Sequence, residues 1–134
     1  MIFIDSNIPM YLVGAEHPNK RDTITLLESL VSERERLVTN TEVLQEILHR
    51  YTAIHRKEAI QPAFDAIYDM VDDIFEVTER DVLEAKNVIL AYENLSARDA
   101  LHTAHMRRMK IGTIFSFDAG FDFLGEFKRV PAKF

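Results

Sequence analysis

Cysteine is absent from the 134 residues. That excludes disulfides, a thiolate zinc site and a cysteine nucleophile. Glycine and proline are scarce, at 4 each, and the chain shows no internal repeat, low-complexity tract or Gly/Ser linker. No apolar run approaches the roughly 18 residues of a membrane-spanning helix. The opening MIFIDSNIP has neither the basic start nor the long apolar core of a secretory signal, so the expectation is a cytoplasmic protein without a membrane partner. An excess of positive charge is lacking as well. Sixteen Lys and Arg stand against 22 Asp and Glu, for a net charge of −6, which argues against nucleic-acid binding by bulk basicity.

What is present is globular composition, 47% apolar and 28% charged, in a length that suits one domain spanning residues 1–134. The charge is uneven. Residues 65–84 hold eight acids and only Arg80 as a base, net −7, which leaves the remaining chain at +1. Beyond Ala97 the chain carries seven bases and four acids.

Residues 1–4 form a short, wholly apolar run, as expected of a strand buried on both faces. Asn7 is placed to cap a short helix with Pro9 near its first turn. Residues 14–19 read as a loop, 22–33 as an amphipathic helix and 37–39 as a second strand. Helices are expected over 41–51 and 56–72, and a third strand over 74–77. Thr78-Glu-Arg-Asp81 resembles a capping box that opens a helix to Tyr92. Ser96 caps a further helix to about Met109. A fourth strand is expected over 112–117, a helical turn over 121–127, and an edge strand at Arg129-Val130 closed by Pro131. Apolar strands alternating with helices imply an α/β fold with a mostly parallel sheet covered on both faces. Such sheets bind ligands beyond the carboxyl ends of their strands.

Acids stand at those ends. Asp5 ends the first strand and Asp118 the fourth. Asp99 lies in the first turn of the helix capped by Ser96, on one side with His102, Thr103 and Met106. Glu46 falls at the boundary of the buried face of the helix after the second strand. Each taken singly also fits an ordinary turn, cap or solvated position. Taken together, these carboxylates without partner lysines repel one another unless protons or cations neutralise them. Oxygen donors without cysteine suit Mg²⁺ or Mn²⁺, the usual apparatus of phosphodiester hydrolysis.

These residues, in this order, resemble the PIN-domain family and, within it, the VapC-type toxin ribonucleases. MIFIDSNIPMYL, TNTEVLQEILHRY, LSARDALHTAHM and IFSFDAGFD match the four short motifs across essentially the whole chain. The resemblance implies a three-layer α/β/α sandwich on a central parallel sheet and a Mg²⁺- or Mn²⁺-dependent endoribonuclease acting on RNA. It further implies a homodimer and a cognate antitoxin, as in a type II toxin–antitoxin pair. Asp5, Glu46, Asp99 and Asp118 would be the catalytic metal ligands and Asp122 an auxiliary one. Asn7 and Ser116 would position water or phosphate.

Basic residues 49–57 (His49, Arg50, His55, Arg56, Lys57), with Arg98, Arg107, Arg108 and Lys110, could flank the site and hold phosphates, or form a solvated face. His102 and His105 fit packing or hydrogen-bonding roles better than zinc, because no further ligand pattern accompanies them. Phe121, Phe123 and Phe127 fit a core. The rival functions are a housekeeping RNA-processing nuclease of the same family, a non-catalytic RNA- or protein-binding module, and a phosphatase. A dehalogenase-like phosphatase would want an acid where Asn7 stands.

Overall fold

A computed structural model describes residues 1–131. Five parallel strands form its sheet: β1 (Ile2–Ile4), β2 (Leu37–Asn40), β3 (Asp73–Phe75), β4 (Thr113–Phe115) and β5 (Lys128–Val130). Their order is β3-β2-β1-β4-β5. Between them run α1 (Asn7–Val13), α2 (Pro18–Ser32), α3 (Thr41–Ala53), α4 (Ile60–Met70), α5 (Glu79–Ala91) and α6 (Ala97–Met109). The expected α/β architecture is thus observed, and the sheet, expected to be mostly parallel, has every strand pair parallel among the described residues.

Strand alternation divides the core. Phe3, Val38 and Ile114 pack with Val43, Ile47 and Tyr51 of α3 and Met106 of α6. Their neighbours Ile2, Ile4, Leu37 and Phe115 join Ile8 of α1, Leu30 of α2 and Ile67 of α4. A sheet buried on both faces needs apolar residues at successive positions, which is why β1 reads as an unbroken apolar run. The chain proceeds outward from β1 to β2 and β3, then crosses to β4 on the other side of β1. The β1/β4 boundary is therefore the topological switch point, where the connections diverge and leave a crevice at the carboxyl edge.

Several boundaries differ from the sequence expectation. Helix α2 begins at Pro18, within the expected loop, because extended His17 caps it by accepting from the Asn19 amide at 3.0 Å while Pro occupies a first-turn position. The helix expected over 56–72 starts as a 3-10 turn, Lys57–Ala59, and becomes α-helical from Ile60. The turn expected over 121–127 lies earlier, as a 3-10 turn at Ala119–Asp122. Asn7 does not cap α1. Ser6 holds that position without a side-chain cap bond, and the Asn7 amide instead faces Asp5 and Ser116.

Outside the sheet, α5 packs on α6 through Ala85, Val88, Leu95, Ala100 and Ala104. The capping box is present. Thr78 Oγ1 accepts from the Asp81 amide at 3.3 Å, and Asp81 Oδ2 accepts from the Thr78 amide at 2.9 Å. Arg108 of α6 donates to both oxygens of Asp81, at 2.6 and 3.0 Å. Burial pushes the Asp81 carboxyl up, but the bonds from Arg108 and Thr78 outweigh it and hold the group below the ordinary aspartate range. A depressed carboxyl stabilises the fold above its unfolded-state pKa, and that stability is lost as pH falls through the folded value. Asp81→Asn should therefore cost about 1–3 kcal/mol near neutrality. It should also flatten the acid limb of the stability curve, measured by denaturant unfolding across pH.

Candidate active site

The carboxyl ends of β1 and β4 are tied together by one serine. Ser116 Oγ donates to Asp5 Oδ2 at 2.5 Å and accepts from the Asp118 amide at 3.0 Å. The Ser6 amide donates to Asp5 Oδ1 at 2.8 Å. Asn7 Nδ2 reaches Asp5 Oδ2 and Ser116 Oγ at 3.4 and 3.3 Å, while Asn7 Oδ1 accepts from the Phe117 amide at 3.4 Å. These bonds hold the Asp5 carboxylate and the Asp118 backbone together at the carboxyl edge of two neighbouring strands.

Glu46 and Asp99 enter from helices. Glu46 is buried on α3 and accepts from His102 Nε2 at 2.6 Å. Asp99 occupies the first turn of α6, where its amide donates to Ser96 Oγ at 3.1 Å. The reciprocal bond of a capping box is not formed; the carboxylate lies over Gly120 instead. A Cβ at Gly120 would sit 2.7 Å from Asp99 Oδ2 and 3.1 Å from Asp118 Oδ1. The Gly120 amide also donates to Asp118 Oδ1 at 2.8 Å. The absent side chain at Gly120 thus leaves the space that the two carboxylate tips occupy.

All four acids and Asn7 line one cavity of about 660 Å³. Arg50, Arg56 and Arg98 line it too, so part of the expected basic flank is present. Arg107 and Arg108 are not on its wall: they pair with Glu126 and Glu84, and with Asp81. Asp122 forms a two-point ion pair with Arg129, at 2.8 Å for each bond, and does not line the cavity. Arg129 is buried and also donates to the Ser116 carbonyl at 3.2 Å, so Asp122 balances a buried cation beneath the site. Phe121 is in the core, whereas Phe123 is exposed and meets Tyr92 edge-on.

Electrostatics separate the acids. Burial raises Asp5, and the Glu46 charge adds to this against the opposing pull of His102 and Ser116. Burial, then the charges of Asp118 and Asp5, push Asp99 up to about 6. Glu46 is also raised by burial, but the hydrogen bond from His102 reverses the sign and holds it below the usual range. Ligand atoms of Asp5, Glu46 and His102 all lie within 4.8 Å of one another. With Asp99 and Asp118 beside them, the donor set is dominated by carboxylate oxygens, which fits a hard divalent cation and not a thiophilic one.

Three contributors were not assigned from sequence. Gly120 makes room, His102 orients Glu46, and Asn40 bonds both histidines, at 3.2 Å to His102 Nδ1 and 3.1 Å to His105 Nδ1. His102 shares the Asp99 helix side by spacing, a usable signal; Asn40 stands at a strand end and carries none by itself. The expectation that the histidines are hydrogen-bonded agrees with this geometry. Burial drives His105 down to about 4 from 6.5. A depressed histidine stabilises the fold above its unfolded pKa, and the contribution is lost as pH falls from 6.5 towards about 4. His105→Gln should flatten the stability profile in that window relative to the parent, read by chemical unfolding at several pH values.

Comparison with known proteins finds relatives along nearly the whole chain. The chain is 58% identical over 130 residues to Ribonuclease VapC13 of Mycobacterium tuberculosis, covering 97% of this chain and 99% of that protein. Its fold superposes on that of VapC20 from Mycobacterium tuberculosis, a Sarcin-Ricin loop cleaving toxin, with a TM-score of 0.72 and 21% identity over 94% and 96% of the two chains. A toxin–antitoxin complex from Klebsiella pneumoniae contains a chain that superposes with a TM-score of 0.64 at 15% identity, covering 98% and 93%. The PIN domain pattern itself matches residues 2–126, and with the carboxylate cluster standing at the switch point of the sheet, the chain belongs to the PIN domain family.

Proposed function

We propose that this protein is a divalent-metal-dependent endoribonuclease, the toxin of a type II toxin–antitoxin pair, with Mg²⁺ or Mn²⁺ as its cofactor. The observation that carries the reading is the convergence of Asp5, Glu46, Asp99 and Asp118 on one cavity. Identity of 58% to a VapC ribonuclease over nearly the full length supports it. Among the described residues no helix is long and apolar enough to cross a membrane.

Asp5, Glu46, Asp99 and Asp118 are the proposed ligands, directly or through water. Bound divalent ions would supply an activated water and offset the charge on the attacking and leaving oxygens of an in-line displacement. The chain's own work is placement. Ser116 and the Ser6 amide hold Asp5, Asn7 braces both strand ends, and Gly120 lets Asp99 and Asp118 approach. Asp122, proposed from the family motif as an auxiliary ligand, contributes through Arg129, which it holds under Ser116. Arg50, Arg56 and Arg98 on the cavity wall supply positive charge for RNA phosphates. An antitoxin is the proposed inhibitor, with a basic segment entering the acidic cavity, and a homodimer is the proposed assembly.

Asp99→Asn should lower Mg²⁺-dependent RNA cleavage by about 10²–10³-fold or more. It should leave the metal-free fold as stable as the parent or more so, because it relieves repulsion from Asp118 and Asp5. Undiminished cleavage by a clean Asn variant would remove Asp99 from the mechanism. Gly120→Ala should keep a melting temperature close to the parent's, since only side-chain tips are displaced. It should nonetheless weaken Mn²⁺ binding and lower turnover by about 10²-fold through sub-ångström misplacement; calorimetry and a cleavage assay read the two.

A further inference from the structure

We propose that Asn40 is a positioning residue of this site: it fixes the tautomer of His102 so that its Nε2 proton is held on Glu46 Oε1. The inference rests on Glu46 being a metal ligand, as proposed above.

The argument begins at the end of β2. Asn40 is the N-cap of α3, in extended conformation, and its Oδ1 accepts from the Val43 amide at 3.0 Å. That bond decides which end of the amide faces the interior. With oxygen committed to the cap, the nitrogen must face the two rings. Nδ2 lies 3.2 Å from His102 Nδ1 and 3.1 Å from His105 Nδ1. An amide nitrogen only donates, and it has two protons to give. Each ring must therefore present a bare Nδ1, so each neutral imidazole carries its proton on Nε2. In His102 that proton points at Glu46 Oε1, 2.6 Å away.

The amide has little freedom to do otherwise. Rotating it by half a turn would set its NH₂ against the Val43 amide and lose the cap. It would also bury polar groups without partners, because Asn40, His102 and His105 are all inaccessible to solvent. His105 has a part in this. By accepting the second proton of Nδ2 it leaves the amide no spare donor, and its own Nε2 has no partner among the described residues. Phe3 packs against both rings, at centroid distances of 5.1 and 6.1 Å, and limits their tilt. The outcome at Glu46 is that Oε1 is held by His102, which fixes the orientation of a carboxylate on the cavity wall. Histidine partners that fix the orientation of a metal-binding carboxylate act in the same manner as carboxylates that fix metal-binding histidines.

The test replaces Asn40 with aspartate. Aspartate caps a helix as well as asparagine does, but the atom facing the rings becomes an acceptor. Nitrogen-15 spectra of the histidine rings, recorded on the metal-free protein at mildly alkaline pH, give the tautomer directly. The parent should show His102 with its proton on Nε2. Asn40→Asp should keep the far-ultraviolet circular dichroism of the parent and place a proton on His102 Nδ1. It should also bind Mn²⁺ about 10–100-fold more weakly. Asn40→Ser retains a capping oxygen without an inward donor; it should leave His102 in mixed tautomers and fall between the two in Mn²⁺ affinity. Nδ1-protonated His102 in the parent overturns the proposal. So does Asn40→Asp with unchanged tautomer and affinity, or Asn40→Ser with parental values of both. If the parent shows the Nε2 tautomer but binds no Mn²⁺, the metal-site reading fails while the hydrogen-bond relay stands, so the two failures are distinct.

Discussion

Like charges cannot share a poorly hydrated crevice without compensation, and the architecture around the cavity follows from that constraint. Asp5, Glu46, Asp99 and Asp118 arrive from β1, α3, α6 and the end of β4, and the chain treats them differently. Glu46 receives the proton of a buried histidine. Asp5 receives an amide and a hydroxyl. Asp99 meets two further carboxylates and rises to about 6. The repulsion is therefore partly absorbed by hydrogen bonds and partly left in place, and the part left in place is what a bound cation would relieve.

Much of the remaining acidity serves the fold. Within the acidic window of residues 65–84, Asp72 accepts from the Leu37 amide at 3.0 Å, Asp73 pairs with Arg36, and Asp81 joins α5 to Arg108 of α6. Asp122 neutralises buried Arg129. These acids lie on strand and helix termini away from the cavity, while Arg50, Arg56 and Arg98 line it. A net charge of −6 thus includes acids that make structural pairs as well as acids gathered in the crevice. It is a poor guide to what the cavity attracts.

The alternation of short apolar strands with helices is periodic and local, so the parallel sheet and most of its helices could be read directly from the residues. Asp5, Asp118 and Asp99 could be picked out because acids at strand ends and in a helix's first turn fall on one edge of such a sheet, and Glu46 because it falls at the boundary of its helix's buried face. Element starts were less legible. The onset of α2 depends on the His17 ring accepting an amide proton, a choice invisible to hydrophobic periodicity.

What the sequence determined by itself was the set of chemical groups and the edge of the sheet they occupy, since short segments apolar on both faces alternating with helices imply a parallel sheet whose strands share one carboxyl edge. Which groups touch was decided only by tertiary structure. Asp122 is the last residue of the fourth site motif, yet it turns to Arg129. Asn7 sits where a cap is expected, yet it braces Asp5 and Ser116. Gly120 and Asn40 gain their roles from Asp99 and His102, distant in sequence. The physical reason lies in their partners Arg129, Asp5, Ser116 and His102, which are buried. A buried polar group takes whichever partner satisfies it within about 3 Å, and that partner is chosen by the packing of distant elements, not by spacing along the chain.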